Sequence, residues 1–572
     1  MKSIIFATSV LLLLGGFFLG FSGSVDDAHI TFWSAWALAH DGQIVNYNFE
    51  RVEQTTALLQ VLLLAVLHKL SNIPVVDLAH ITTILSAIVV LVLSARLYKH
   101  IDQQNPARQN VVQENTATML LLLATSPFFV YWSFGGMEGP MLACMLLLCI
   151  LYWSDYLRGE RSTGMLLALV LATQSVRSEL PLVMFVGTAG IVVAKLLLRD
   201  HLVWRWNRIV LLAAVQLLVA LLLLGWRWWY FDSLWPQPVA AKIGGSFVFN
   251  VWLGLGYAWQ AISDPFLVLS ALIVLLSFPW LLYKTYSEKP QHELLLVAIV
   301  AAAYSAFIIS SGGDWMAAGR FWMPITPLFV VLIAWLLSCW CKQRAWLYGL
   351  VSLMLVGNIG YLWHGTTVDF NNVPLWKKTK LSAADHEQDF SFFERHSREH
   401  LHDIPTAAFV VPLVQDILAR RHDGKPVEIM TGQAGMVMYH LATTYPRQLH
   451  ITDRNGLIER TFTDCDPARD LPRTRIGLGN GYEWIMEHRI ELQQQCGMKM
   501  PDIVFDVAAS RNQHNNDALR QLGYVFLYNQ RGHIVEEGDW LPLRKIGAGQ
   551  FIAVSPDVWQ LLGKPEPVSR VF

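Results

Sequence analysis

Long apolar segments separated by short polar connectors recur along the first 364 residues of the chain. A helix needs ~20 predominantly apolar residues to cross a bilayer, so this pattern predicts about eleven transmembrane helices. The predicted spans are residues 4–22, 78–95, 117–133, 139–155, 164–175, 181–198, 209–227, 265–283, 293–311, 321–340 and 346–363. The first segment also has the features of a signal peptide. We expect a retained anchor instead, because without it the acidic residues that follow would no longer be held at a fixed position at the membrane surface.

The charges of the connectors predict the orientation of these spans. Connectors with several basic residues, such as the one carrying Arg96, Lys99 and Arg108, alternate with connectors that are nearly free of them. Because basic connectors remain on the cytoplasmic side, we expect the amino end inside and the carboxyl end outside. This alternation requires that the apolar stretch Thr55–Leu70 does not span the membrane. At about 16 residues it is short for a span, which favours an interfacial or re-entrant helix.

From about Gly365 the pattern changes, because charged residues become frequent and apolar runs shorten to strand length. Such runs alternate with helix-like segments, which predicts an α/β domain. The predicted strands are Val427–Met430, Leu449–Thr452, Asp502–Asp506, Tyr524–Tyr528 and Phe551–Val554. The chain therefore divides into a transmembrane domain, residues 1–364, and an extracytoplasmic α/β domain, residues 365–572.

Composition agrees with a polytopic α-helical membrane protein. Of the 572 residues, 54% are hydrophobic and 15% are charged, and the mean hydropathy is +0.37. The net charge is −1 and the basic residues are dispersed, so the composition indicates no nucleic-acid partner. Only two of the six cysteines, Cys465 and Cys496, lie in the predicted external domain. They are candidates for a disulfide in an oxidising compartment.

A pair of adjacent carboxylates, Asp26 and Asp27, follows the first apolar segment directly. It opens the predicted first outer loop, residues 23–77. One of the two could simply cap the helix predicted to run to about His40, but a single carboxylate is enough for a cap. Ionisable groups at a membrane face often mark a functional site, so we expect chemistry at this pair.

Isolated charges stand at the outer ends of several other predicted spans. Outward connectors normally carry few basic residues, and Arg177, Lys242 and Arg320 are exceptions. Glu138 follows the outer end of another span. Together these charges place cations and carboxylates on the face that carries the aspartate pair.

Local pairing is an alternative explanation for these charges. Arg177 could pair with Glu179, and Arg320 could pair with Asp314, only to hold helices together. Such pairing explains each residue separately. It explains less well why all of them converge on one face.

An outward cavity with two carboxylates and several cations suits a sugar donor linked to a lipid phosphate. Cations would neutralise the leaving phosphate, and a carboxylate would take the proton from an acceptor hydroxyl. A divalent cation that shares the phosphate is also compatible, with Asp26 and Asp27 as oxygen ligands.

Motifs spread in order along nearly the whole chain carry a resemblance to a known family. They are Asp26-Asp27-Ala28-His29-Ile30-Thr31, Gly42, Asn46, Arg51-Val52-Glu53, Gly136-Met137-Glu138, Arg177 with Glu179, Trp235-Pro236 through Lys242, Gly313-Asp314, Arg320-Phe321, Pro324, and Ile451-Thr452-Asp453-Arg454-Asn455-Gly456-Leu457. This set resembles the bacterial GT-C glycosyltransferases that include the mycobacterial terminal arabinofuranosyltransferases.

The resemblance implies a polyprenyl-phosphate donor carrying a pentose such as arabinofuranose or a hexose. It also implies an acceptor in the cell envelope (a glycan, glycolipid or glycoprotein) and an outward active site in the bacterial plasma membrane. The implied general base is Asp27, or else Asp26. The other expected site residues are Arg177, Lys242 and Arg320 at the donor phosphate, and His29, Glu53, Glu138, Glu179 and Asp314 in the substrate pocket.

Two other classes of protein remain open from the residues alone. A transporter or flippase for a lipid-linked saccharide would use the same charges as a transport pathway, although transporters tend to show internal repeats and charges near the midplane. A non-catalytic envelope scaffold would leave Arg177, Lys242 and Arg320 without a role.

Overall fold

The structure is a computed structural model of the chain. It describes residues 2–18, 25–103, 112–198, 202–242, 246–262, 292–314, 316, 319–340, 343–367, 394, 403–465, 482–507, 513–528 and 550–563.

The part of the chain before residue 368 is helical in the described residues. Its helices are α1 (Lys2–Phe18), α2 (Ala28–Asp41), α3 (Leu58–Ser71), α4 (Val75–Gln103), α5 (Val112–Thr125), α6 (Pro127–Ser133), α7 (Gly139–Arg158), α8 (Leu166–Val176), α9 (Leu180–Leu197), α10 (Trp206–Phe231), α11 (Gln237–Lys242), α12 (Phe247–Ile262), α13 (His292–Ser310), a short 3₁₀ turn (Met323–Ile325), α14 (Thr326–Trp340) and α15 (Arg344–Thr367).

Each predicted span that falls within the described residues overlaps one of these helices, except that the span predicted at 117–133 is divided between α5 and α6; the span predicted at 265–283 lies outside the described residues. Five described helices, α4, α7, α9, α10 and α13, are long and apolar enough to cross a membrane. Helices α5 and α6 would make a sixth span if they count as one helix bent by 61°. The apolar helices α1, α3, α8, α12 and α14 are shorter, and α12 is one that the sequence pattern did not predict. The chain is thus a multi-pass membrane protein.

Helix α3 covers most of the stretch Thr55–Leu70. Its 14 residues extend over about 21 Å, which is less than the ~30 Å hydrocarbon core of a bilayer. Leu62, Val66 and Leu70 are exposed along one side, while Val61 and Leu64 are buried. A short helix with one apolar side exposed is what an interfacial position requires.

The described residues after 402 form an α/β unit. Its elements are α16 (Asp403–Arg420), β1 (Val427–Thr431), α17 (Met436–Thr444), β2 (Leu449–Asp453), α18 (Tyr482–Glu487), α19 (Arg489–Cys496), β3 (Ile503–Val507), α20 (Gln513–Gln521), β4 (Val525–Tyr528), β5 (Gln550–Val554) and α21 (Pro556–Leu561). All five predicted strands are confirmed to within one residue at either end. The sheet order is β2-β1-β3-β5-β4, with β1 parallel to β2 and β3, and β5 antiparallel to β3 and β4.

The carboxyl ends of the parallel strands β1, β2 and β3 lie at one edge of the sheet, and the chain leaving β1 and β2 at this edge meets the first outer loop. The side chain of Asn48 both donates to the carbonyl of Ile451 (2.9 Å) and accepts from its amide (2.7 Å). The Asn46 amide donates to the carbonyl of Ile458 (3.2 Å). The outer loop is therefore fixed to the α/β unit by backbone-specific hydrogen bonds.

The two cysteines of the α/β unit are bonded to each other. Cys465 and Cys496 form a disulfide with their Cα atoms 5.3 Å apart. It joins the segment that follows β2 to the last residue of α19, and both cysteines line a pocket together with Glu50, Arg51 and Val52 of the outer loop.

Candidate active site

The two adjacent aspartates have different partners. Asp27 occupies the cap position of α2, but its carboxylate accepts no capping hydrogen bond from the described residues of that helix. The carboxylate of Asp26 accepts a 2.7 Å hydrogen bond from the backbone N–H of Met436, the first residue of α17. Asp26 thus caps a helix of the α/β unit rather than its own, and helix capping does not account for Asp27.

Asp27 faces the guanidinium of Arg320. Arg320 Nη1 lies 3.5 Å from Asp27 Oδ2 and 3.6 Å from Asp314 Oδ2, and the Asp27 side chain keeps 29% of its surface exposed. Both distances exceed those of a direct hydrogen bond, 2.7–3.2 Å. Burial raises the pKa of the Asp27 carboxyl above its ordinary value, while the positive charges of Arg320 and Lys242 oppose that rise. The result is an accessible carboxylate held near a cation without being locked to it.

Lys242 is the last residue of α11 and is exposed. Among the described residues no carboxylate lies within ion-pair distance of its ammonium, although it acts electrostatically on Asp27. The start of α11 is firmly held: the Gln237 backbone N–H donates to the Glu53 carbonyl (2.8 Å), and its side-chain amide donates to the carbonyls of Gly456 and Glu459 (2.9 Å each). Lys242 is therefore a cation at the end of a well-anchored helix.

Arg177 is enclosed by two carboxylates. Its guanidinium donates to Glu138 and Glu179, all three side chains are less than one-tenth exposed, and the cation also lies over the ring of Phe321, 5.1 Å from its centre. The predicted local pair of Arg177 with Glu179 is present, and Glu138 joins it from another helix. A small cavity is lined by Glu138 and Arg177 of this cluster and by Arg320.

Glu53 forms a two-pronged ion pair with Arg227 of α10, at 2.7 and 3.2 Å. Both side chains are almost fully buried. The sequence reasoning did not select Arg227, although a charge inside a predicted span is a signal that could have identified it. This pair fixes the middle of the first outer loop against α10, which gives Glu53 a structural role in that loop.

His29 is fully buried and shares one carboxylate with a histidine of the α/β unit. The Nε2 atoms of His29 and His440 each lie 2.9 Å from Oε1 of Glu394. The two histidines hold the pKa of Glu394 well below its ordinary value, against the effect of its burial. Neither Glu394 nor His440 carries a local sequence signal that would have connected it to the aspartate motif.

The described residues include no group of three His, Cys, Asp or Glu side chains arranged to hold a metal ion. The carboxylates of Asp26 and Asp27 are directed at a backbone amide and at a guanidinium, respectively. A proton acceptor beside two cations, Arg320 and Lys242, can deprotonate a hydroxyl while a phosphate leaves. This arrangement of a carboxylate and two cations is chemically suited to acid–base chemistry beside a phosphate group.

Helices that span a membrane, an acidic first outer loop and a carboxyl-terminal α/β unit docked on that loop define a membrane protein with a GT-C-like fold. Comparison with the solved structures of ArnT shows this fold. ArnT from Cupriavidus metallidurans, in the apo state and bound to undecaprenyl phosphate, matches 95% of this chain over 97% of its own, with a TM-score of 0.51 and 14% sequence identity in each case. The archaeal oligosaccharyltransferase AglB from Archaeoglobus fulgidus, in complex with an inhibitory peptide and a dolichol-phosphate, matches 88% of this chain over 69% of its own, with a TM-score of 0.47 and 9% identity.

A scan against protein-family models found no match. A search of curated proteins found none either.

Proposed function

We propose that this protein is a membrane glycosyltransferase that moves a sugar from a polyprenyl-phosphate donor to an acceptor in the cell envelope. The observation that carries the proposal is the partly exposed carboxylate of Asp27, 3.5 Å from Arg320 and within electrostatic range of Lys242. The likeness to an ArnT structure that holds undecaprenyl phosphate supports a lipid phosphate as the leaving group.

In the proposed reaction the acceptor hydroxyl attacks the anomeric carbon of the donor sugar. Its proton passes to the carboxylate of Asp27 as the new carbon–oxygen bond forms. The bond between the anomeric carbon and the phosphate oxygen breaks, and the phosphate keeps the electron pair. Arg320 and Lys242 face the negative charge that develops on this phosphate.

Arg177 is a weaker candidate for the phosphate than Lys242 or Arg320, because two buried carboxylates already neutralise it. We assign it, with Glu138 and Glu179, to the support of the helix ends behind Arg320. His29 and Glu53 likewise shape the site from behind, through Glu394 and Arg227 respectively.

The proposal extends to the sugar and to the cellular location. Arabinofuranose, or another pentose or hexose, is the expected donor sugar, and the acceptor is an envelope glycan, glycolipid or glycoprotein. The site is proposed to face outward from the bacterial plasma membrane, with the amino end in the cytoplasm. Protease added to spheroplasts should then cut the α/β unit and spare the connector at 96–108; the reverse pattern would overturn this orientation.

The decisive experiment compares cells with and without the protein. Loss of the protein should leave one polyprenyl-phosphate sugar unused, and mass spectrometry of the lipid fraction should show it accumulating. The purified protein should transfer that sugar in detergent, and Asp27→Asn should not. The same assay with EDTA tests whether a divalent cation at Asp26 and Asp27 takes part. Uptake of the lipid-linked sugar into vesicles without any transfer would favour a flippase instead.

A further inference from the structure

We infer that the α/β unit completes the active site by holding the Asp26–Asp27 pair in place through α17, with Gly435, Met436 and His440 as positioning residues. The inference rests on the proposed function, because it concerns the geometry of the proposed base. Three separate contacts between α17 and the first outer loop carry it.

The first contact is the hydrogen bond from Met436 N–H to the Asp26 carboxylate. The first backbone N–H groups of a helix have no partner within the helix, and the positive end of the helix dipole attracts a carboxylate. Helix α17 begins at the carboxyl edge of β1, which is the edge that meets the outer loop. The sheet thus directs the start of this helix at Asp26.

The second contact is the close packing of Asp26 on Gly435. A Cβ atom at Gly435 would lie 2.2 Å from Asp26 Cγ and 2.3 Å from the Asp26 carbonyl oxygen. The second of these atoms belongs to the backbone, so a different side-chain rotamer of Asp26 would not make room. Only glycine at position 435 permits this approach of the two chains.

The third contact lies one turn further along α17. His440 and His29 both bind Glu394, and His29 follows Asp26 by three residues. The Tyr47 hydroxyl lies between the two segments, 3.4 Å from the carbonyl of His29 and 3.5 Å from that of Gly435. The start of α2 is therefore held to the α/β unit on both sides of Asp27.

The consequence for chemistry follows from the position of Asp27, which is the residue after Asp26. A shift of the Asp26 backbone moves the Asp27 carboxylate relative to Arg320. Misplacement of a reacting group by ~1 Å can cost ~10²-fold in rate. Damage to the α17 contacts should consequently lower kcat while it leaves donor KM nearly unchanged, since the phosphate-binding cations belong to other elements.

The test uses the full-length protein and four variants: Gly435→Ala, Asp26→Ala, Asp26→Asn and His440→Ala. Thr444→Ala is the matched control, because Thr444 is exposed at the end of the same helix and, among the described residues, its hydroxyl bonds only to the His440 carbonyl of that helix. We expect Gly435→Ala to lower kcat by about 10²-fold and Thr444→Ala to match the wild type. Asp26→Asn keeps an oxygen that can accept from Met436, so it should retain much more activity than Asp26→Ala.

Two outcomes would overturn the inference: an unchanged kcat in both Gly435→Ala and Asp26→Ala, or a raised donor KM with normal kcat. If Gly435→Ala does not fold, the variants Asp26→Ala, Asp26→Asn and His440→Ala test the inference by the same comparison of kcat and donor KM.

Hydrogen–deuterium exchange separates this inference from the proposed function. If the wild-type protein transfers no sugar, the proposed function fails, yet the contact can still be measured. Gly435→Ala should then speed amide exchange in residues 25–41, whereas Thr444→Ala should not. Equal exchange in both variants would overturn the positioning role independently of any activity.

Discussion

Two clusters of arginine and carboxylate each contribute their arginine to the lining of one small cavity, and they are built in opposite ways. Arg177 is enclosed by Glu138 and Glu179 in direct contact, with every side chain buried. Arg320 lies 3.5 and 3.6 Å from Asp27 and Asp314, and Asp27 remains partly exposed. In the first cluster the guanidinium is bonded directly to both carboxylates, whereas in the second Arg320 and Asp27 are far enough apart to bind a substrate.

This difference suggests a structural role for the Arg177 cluster and a role in substrate contact for the Arg320 cluster. A buried charge that loses its partner is very costly, so a closed cluster such as that of Arg177 holds its helices in one arrangement. A looser cluster in contact with solvent can exchange its internal attraction for contacts with a substrate phosphate and an acceptor hydroxyl. Predictions that discriminate between the two clusters follow, from the largest expected effect to the smallest.

Asp27→Asn should reduce sugar transfer by ~10²–10⁴-fold, because the amide keeps the size of the side chain but cannot accept the proton. Donor affinity and thermal stability should stay close to those of the wild type. Transfer rates and donor binding measured separately will check this. Normal transfer in Asp27→Asn together with loss in Asp26→Asn would exchange the roles of the two aspartates.

Arg177→Gln should destabilise the protein by ~3–5 kcal/mol, because it leaves Glu138 and Glu179 buried without a cation. The matched control is Arg161→Gln, since Arg161 is half-exposed and pairs with Asp155 at 2.8 Å. That surface pair should contribute only ~0–1 kcal/mol. Thermal unfolding in detergent compares the two variants. Unchanged stability with lost donor binding in Arg177→Gln would instead show that Arg177 contacts the donor phosphate.

Arg320→Gln should affect turnover more than folding. A hydrogen bond to a charged group contributes ~1.5–3 kcal/mol, so kcat/KM should fall by roughly 10–150-fold while the unfolding temperature changes little. Arg344→Gln, at an exposed pair with Glu114, serves as the control that should change neither quantity. A loss of stability as large as that of Arg177→Gln would mean that the two clusters are alike after all.

The pH dependence of transfer should show the smallest effect. Asp27 must be ionised to act as a base, so kcat/KM should fall as the pH drops through its raised pKa. Lys242 lowers that pKa, as Arg320 does, whereas Asp314 and Glu138 raise it. Lys242→Gln should therefore move the acidic limb to higher pH, by a small amount because burial and Arg320 have larger effects on that pKa. The control, Arg447→Gln, removes an exposed cation that pairs with Asp41 and should leave the limb in place.

Local patterns determined much of the architecture without any tertiary information. Apolar runs of membrane length identified helices such as α4 and α7, and short apolar runs between charged segments identified all five strands. These features depend on neighbours along the chain, since the period of a helix or strand is set by a few consecutive residues. The outward charges of the candidate site were selected in the same way, from their departure from the usual charge of each connector.

Only the tertiary structure decided which charges face each other. Glu53 pairs with Arg227 across 174 positions of sequence, and Asp26 meets Met436 across 410. Such contacts depend on how distant helices and the sheet pack, which no local period encodes. The same reason explains why two adjacent aspartates with identical local chemistry have different environments. The fold places the amino end of α17 against Asp26 and the guanidinium of Arg320 against Asp27.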